Sequence, residues 1–198
     1  GIPVVLFNRS QPEMVLSSVT SATFEGGRKL AEFLVAGGHR RIGHIAGWEG
    51  ASTQIEREAG FVAGLEAQGL TLAARTCGNF SLDGAKAAAR QMFAVDAPPD
   101  AVVVANDHMA FGVMDVLRFE LGLRVPEDVS VVGYDDVSVS AWPSYALTTV
   151  RQPANQMVAH TVRMLLDRIE DSDKPARHVA LDGPLIVRGS ARVPTQDT

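Results

Sequence analysis

The sequence predicts an α/β protein built on a mostly parallel sheet. Strand-like and helix-like segments alternate along the chain, the pattern of a parallel sheet with helices on its faces. Two of the strand-like segments, Ala101–Ala105 and Val129–Gly133, are short continuous apolar runs, as expected of strands buried on both sides. Each run stops at polar side chains, Asn106–Asp107 after the first and Tyr134–Asp135–Asp136 after the second. In an open α/β sheet, ligands sit outside the carboxyl ends of the strands, so Asn106 and Asp135 fall where a hydrogen-bonding pocket is expected.

The elements follow in order. Pro3–Phe7 reads as a strand, and Phe24–Ala36 as a helix with Leu30, Phe33 and Leu34 apolar and Gly37–Gly38 as its stop. Arg41–Ala46 reads as a strand, and Ser52–Gln68 as a helix carrying Ile55, Ala59, Val62 and Leu65 at helical spacing, closed by Gly69. A strand is expected near Arg75–Cys77 and a helix at Asp83–Ala94. His108–Leu121 reads as a helix closed by Gly122, and Thr148–Val150 as a short strand. A helix starts from Pro153, a residue suited to a first helical position, with Met157, Met164, Leu165 and Ile169 as its apolar stripe. His178–Leu181 and Leu185–Arg188 read as closing strands, and the tail Pro194–Thr198 as disordered.

Composition narrows the function classes. The 198 residues suffice for one sizeable core or two small lobes, and 46% hydrophobic with 21% charged is ordinary for a soluble globular protein. A net charge of −5 carries no electrostatic footprint for nucleic acid. Cys77 is the single cysteine, which excludes an internal disulfide and leans towards a reducing compartment; in a strand, such a residue is ordinarily a small buried hydrophobe. No apolar stretch approaches the ~20 residues of a membrane span. The chain opens abruptly on Ile2–Phe7 without a charged n-region or cleavage site, so Gly1 reads as the start of a fragment.

Four residues stand out as candidate ligand contacts. Asp135 can accept from two adjacent hydroxyls, and Asn106 both donates and accepts, which suits a polyol. Equally, Asn106 or Asp107 can cap the helix that begins near His108, and Asp135–Asp136 can close a turn. Arg57, with its planar fork of donors, can hold vicinal hydroxyls or a carboxylate, or be a solvated arginine between Glu56 and Glu58. Phe80, between a strand and a helix, either stacks on a sugar ring or covers the core. Catalysis finds little support: the five histidines show no metal-ligand spacing. There is no nucleophile elbow, Walker loop or zincin helix, and Gly43–Gly50 lacks the dinucleotide fingerprint.

An ordered series of motifs resembles the effector-binding domain of lactose-repressor (LacI/GalR-type) bacterial transcription regulators. The series runs Gly38–His39–Arg40–Arg41–Ile42, Ala46–Gly47, Arg57 with Gly60–Phe61, and Asn106–Asp107 with Ala110 and Gly112. It continues through Val125–Pro126, Gly133–Tyr134–Asp135–Asp136, Leu147–Thr148–Thr149–Val150 with Gln152–Pro153, and Leu185–Ile186–Val187–Arg188 with Ser190. The likeness covers Ile2 to Arg192, with one departure: Ala22–Thr23 stand where the family usually has an Asp-Asn pair.

The resemblance implies a type I periplasmic-binding-protein-like fold, two α/β lobes joined by three crossovers, the first near Val19–Ala22. It places a complete C-terminal lobe at 21–151 with 183–193, and a remnant of the N-terminal lobe at 1–20 with 152–182. A small sugar-like effector, bound between the lobes, would contact Asn8, Thr53, Arg57, Phe80, Asn106, Asp135 and Gln152. Asn8 stands where some relatives carry an acid. No cofactor and no metal are implied. The family's pairing through the C-terminal lobe puts Phe111, Met114, Val139, Trp142 and Tyr145 at a homodimer interface; the alternative is that most of these apolar side chains belong to the lobe's own core, Met114 first among them. On this resemblance the DNA-binding headpiece, a helix-turn-helix plus hinge helix, would lie outside the given sequence, and operator DNA is expected as a partner only through it. The expected setting is the cytoplasm. A secreted or periplasmic sugar-binding protein of a transporter is the alternative of like fold; the Val125–Asp128 to Tyr134–Asp136 wording looks like the regulators.

Overall fold

Two sheets, one parallel and one mostly parallel, divide the chain, and the polypeptide passes between them at three points. The structure, a computed structural model, describes residues 2–11 and 15–194; of the tail expected to be disordered, 195–198 lie outside the described residues. The smaller sheet pairs β1 (Val5–Phe7), β2 (Ser17–Ser21) and β8 (His178–Leu181) in the order β1-β2-β8, all parallel. Helix α5 (Ala154–Glu170) packs on it through Met157 and Met164, which meet Val19. The larger sheet contains β3 (Ile42–Ala46), β4 (Ala74–Cys77), β5 (Ala101–Val104), β6 (Ser130–Asp135), β7 (Thr148–Arg151) and β9 (Leu185–Ile186). Its order is β4-β3-β5-β6-β7-β9, parallel except for the antiparallel β7–β9 pair. The crossings follow β2, follow β7 and precede β9.

The period of two expected of a strand separates the two cores of the larger sheet. Val102 and Val104 face α3 (Leu82–Phe93) and α4 (Asp107–Asp115), together with Ala85, Met92, Met109 and Val113. Ala101 and Val103 face α1 (Thr23–Ala36) and α2 (Ser52–Glu66), together with Leu30, Leu34, Phe61 and Leu65. The α1–α2 contact is backbone-close. A methyl group on Gly60 would sit 1.9 Å from the Phe24 carbonyl oxygen, and one on Gly27 2.1 Å from the Arg57 carbonyl oxygen. Only glycine allows that approach, and it fixes the position of the turn that carries Arg57.

Several expectations need correction. Ser17–Ser21, given no element beyond a crossover expected near Val19–Ala22, is a fully buried central strand; its Ser-Ser-Val-Thr-Ser wording lacks the apolar signal that marks strands. The apolar stripe assigned to α2 is rotated. Ile55 is 57% exposed and Ala59 is exposed, while Thr53, Gln54, Arg57, Gly60, Phe61, Gly64 and Leu65 are buried. The small glycines face α1, and the polar residues face the end of the sheet. Similarly, Ile169 of α5 is exposed. Pro153 precedes the first turn of α5 instead of opening it. The helix expected over His108–Leu121 starts at Asp107 and gives way to a π-helical turn at Val116–Glu120.

The dimer set is also corrected in part. Met114 is wholly buried and Phe111 nearly so, both within the core shared by α3, α4 and the sheet. The Phe111 ring lies 4.5 Å from that of Tyr145, and Tyr145 and Val139 are partly buried against the same core. Trp142 alone of the five is well exposed, at 56%. Helical spacing cannot separate a face buried by its own sheet from one offered to a partner, which is why core and interface both stand open for Phe111 and Met114 of α4 in the sequence.

Candidate functional site

A cleft of about 240 Å³ opens at the carboxyl ends of the strands, between the two sheets. Asn8 and Arg9 reach it from the end of β1, Thr53 and Arg57 from the first turns of α2, and Phe80 from the β4–α3 loop. Asn106 follows β5, Asp135 ends β6 and Gln152 follows β7. The structure therefore brings all seven of the sequence-derived candidates to one cavity. It adds Arg9, which sequence reasoning missed. The signal was present, since a cation directly follows Asn8 at a strand end. Arg9 donates to the Asn8 carbonyl at 2.7 Å and to Thr53 Oγ1 at 3.2 Å, tying β1 to α2 across the cleft.

Arg57 is buried to 4% exposure, an expensive position for a permanent charge. Its guanidinium lies 3.5 Å from the centre of the Tyr134 ring, a cation–π contact, and donates to the Ala105 carbonyl. Burial pushes its pKa down, while Tyr134, Asp135 and Asp107 oppose that shift. Asp135 shows the mirror image: burial pushes its pKa up, against the pull of Arg57 and the hydrogen bond it accepts from Gln152. Two buried polar atoms of the lining have no partner among the described residues, the acceptor Asn8 Oδ1 and the donor Arg57 Nε. Native structures rarely leave such atoms unmatched.

Backbone strain gathers on the same lining. Asn8 (φ 54°), Phe80 (φ 55°) and Asp135 (φ 125°) all lie at positive φ, where each non-glycine residue costs ~1–3 kcal/mol. Phe80 is held by Gly47, on which a methyl group would fall 2.2 Å from the ring edge. The two readings of Asn106 both apply. Its Oδ1 accepts from the Met109 N–H at 3.0 Å and caps α4, which leaves the amide N–H₂ for the cleft that it lines. Asp107, by contrast, is a brace. It accepts from Val137 N–H at 3.0 Å, Ser140 Oγ at 2.6 Å and Thr149 Oγ1 at 2.6 Å, and does not line the cleft.

Behind α2, buried His44 forms a polar bridge between helix and sheet. Its Nδ1 lies 3.0 Å from the Val103 carbonyl oxygen, and its Nε2 lies 3.1 Å from Gln54 Nε2. These partners fit a neutral ring that donates from Nδ1 and accepts at Nε2, and burial pushes the pKa down to about 4. Among the described residues no group of three His, Cys, Asp or Glu side chains could hold a metal ion. The cleft thus offers a ring of donors (Arg9, Arg57, Asn106, Gln152) and acceptors (Asn8, Thr53, Asp135) beside one aromatic ring. Such a surface can orient a hydroxylated molecule.

A profile described as a periplasmic binding protein-like domain matches residues 31–191. A LacI transcriptional regulator from a Rhodococcus species superimposes with a TM-score of 0.89 at 30% identity, over 98% of this chain and 71% of that one. The chain belongs to the LacI family. Within that family, the transcriptional regulator CelR of Thermobifida fusca is 37% identical over 196 residues. These cover 96% of this chain and 57% of CelR. A solved CelR–cellobiose complex matches at a TM-score of 0.88 and 36% identity, over 94% of this chain and 58% of that one. A dimeric Lac repressor structure matches at 0.87 and 30%, over 96% and 69%. The chain spans 56–58% of the length of the curated LacI-family relatives it matches. The fold is the mixed α/β, mostly parallel architecture of these LacI-type domains.

Proposed function

We propose that this chain is the effector-sensing part of a LacI-family transcription repressor, and that its effector is a small sugar-like molecule bound in the cleft. The observation that carries the proposal is the unmatched pair Asn8 Oδ1 and Arg57 Nε, an acceptor and a donor buried without partners on two residues of a cleft whose lining residues, Phe80 apart, all carry polar side chains. A polyhydroxylated ligand satisfies both at once, and ring stacking on Phe80 covers its apolar face. The cellobiose in the CelR complex and the ribose in a regulator from Enterococcus faecium support this chemistry.

In this reading 21–151 with 183–193 form the C-terminal lobe, and 1–20 with 152–182 are part of the N-terminal lobe. Val158, Val162, Leu166 and Ile169 support the second assignment: they make an exposed apolar stripe on α5, a face suited to further elements of that lobe. Ligand in the cleft ties β1 and Gln152 to the ends of β5 and β6, so binding favours the closed arrangement of the lobes. In the whole protein, that arrangement sets the spacing of two DNA-binding headpieces on a two-fold operator. In this reading the protein acts in the cytoplasm as a homodimer and regulates transcription instead of catalysing a reaction, which the naming of its relatives as transcriptional regulators supports.

Isothermal titration of the intact regulator against a sugar panel tests the proposal. One sugar should bind at one site per chain, and Asp135→Ala should weaken it at least ~tenfold. Equal affinity in that variant removes Asp135 from the site.

A further inference from the structure

Behind the cleft, one buried amide holds the backbone on which the Phe80 ring rests. We propose that Gln54 is a positioning residue for the effector: it fixes the Gly47 peptide, and Gly47 in turn fixes the Phe80 ring on the wall of the cleft. Gln54 itself is 1% exposed and does not line the cleft. This inference rests on the sugar reading of the cleft and adds the device that holds its aromatic face.

Three observations carry it. First, the Phe80 loop is not held by its own backbone. Asn79 (φ 53°) and Phe80 (φ 55°) are consecutive left-handed residues without the freedom of glycine, a strained arrangement that persists only where its surroundings over-determine it. Second, the ring has its seat on Gly47, the residue after β3. A methyl group there would fall 2.2 Å from Phe80 Cζ and 2.3 Å from Cε1, so the ring lies against bare backbone. The side chain also packs on the core that α3 and α4 share, and in so close a packing a shift of the Gly47 peptide passes to the ring. Third, side chains hold both polar groups of Gly47. Its N–H donates to Gln54 Oε1 at 3.0 Å, and its carbonyl oxygen accepts from Cys77 Sγ at 3.0 Å. The Gln54 amide cannot turn over to release the first bond. Its Nε2 lies 3.1 Å from both His44 Nε2 and Glu58 Oε2, and both are acceptors once His44 Nδ1 donates to the Val103 carbonyl. Turned over, the amide would set its oxygen against two acceptors and its nitrogen against a donor. A buried amide matched at every polar atom is rigid, so orientation runs from the sheet through His44 and Gln54 to the ring.

The test is a double-mutant cycle on the intact regulator, titrated by calorimetry with glucose, galactose, xylose, ribose and cellobiose. For the tightest-binding of the five, Gln54→Met should weaken affinity at least ~threefold. In a Phe80→Ala background the same substitution should change it by less than ~1.5-fold, because the ring through which it acts is gone. A loss passed through Thr53 or Arg57 of the same helix would persist there. Gln54→Ala, which leaves room for water at the freed groups, takes the place of the methionine variant if that one does not fold. Crystal structures of the unliganded wild type and variant complete the test: the Phe80 ring should leave Gly47 while α2 and β3 stay in place. Unchanged affinity, a loss undiminished in the Phe80→Ala background, or a ring that stays on Gly47 overturns the role of Gln54 and leaves the sugar reading standing. Binding by none of the five sugars overturns the sugar reading of the cleft, and the part of Gln54 in binding with it.

Discussion

Arg57 and Asp135 share one cleft with opposite charges, and burial works against both. Groups held in so unfavourable a state serve binding more than stability. Arg57→Met should nonetheless lower the unfolding free energy by more than ~1 kcal/mol, because it leaves the buried Asp135 without its opposing charge. The same change should reduce effector affinity more than ~tenfold; denaturant titration and calorimetry on one sample read both. His44 makes a second residue-level prediction. Its ring stays neutral in the fold down to about pH 4, whereas the unfolded chain protonates near the ordinary 6.5. The unfolded state thus binds more protons between those values, and stability falls as pH drops through that window. Between about pH 7.5 and pH 5 the wild type should lose ~2 kcal/mol that His44→Asn, with an amide donor for the Val103 carbonyl, does not lose.

Among the elements, α4 shows how one residue serves two purposes. Asn106 caps the helix with its oxygen and faces the cleft with its nitrogen. Asn106→Asp keeps an acceptor for the Met109 N–H and adds a favourable charge at the helix start, so stability should hold while effector affinity falls. Asn106→Ala should lose ~1 kcal/mol of stability as well. Thermal melts beside calorimetry separate the two roles. Most of these elements were legible in the sequence for a physical reason: β5 and β6 are continuous apolar runs, and α1 and α3 carry apolar stripes ended by turn residues. Strand β2 was not, because a strand of serine and threonine buried by pairing on both edges leaves no hydropathic trace. The buried face of α2 was misread because Gly60 and Gly64 pack by being small, and Gln54 and Arg57 by being bonded. The cleft residues were legible through their position at strand ends; Arg9 escaped because it follows Asn8 in a segment without periodicity.

At the scale of the whole molecule, the two sheets meet around a cleft, and the chain crosses between them three times. The larger sheet also carries the surface expected to pair with a second copy. With Met114 and most of Phe111 absorbed by the core, Trp142 is the residue of that set with surface to offer. Trp142→Asp should convert a dimer to monomer in sedimentation velocity without changing the melting profile, since an exposed side chain contributes little to its own fold. The proposed seat of the effector is that cleft. The most direct measurement is a crystal structure of the protein with the sugar that calorimetry selects. That sugar should lie between the sheets, with hydroxyls within ~3.2 Å of both Asn8 Oδ1 and Arg57 Nε. A sugar bound elsewhere, or one that leaves both atoms unpartnered, would contradict that placement.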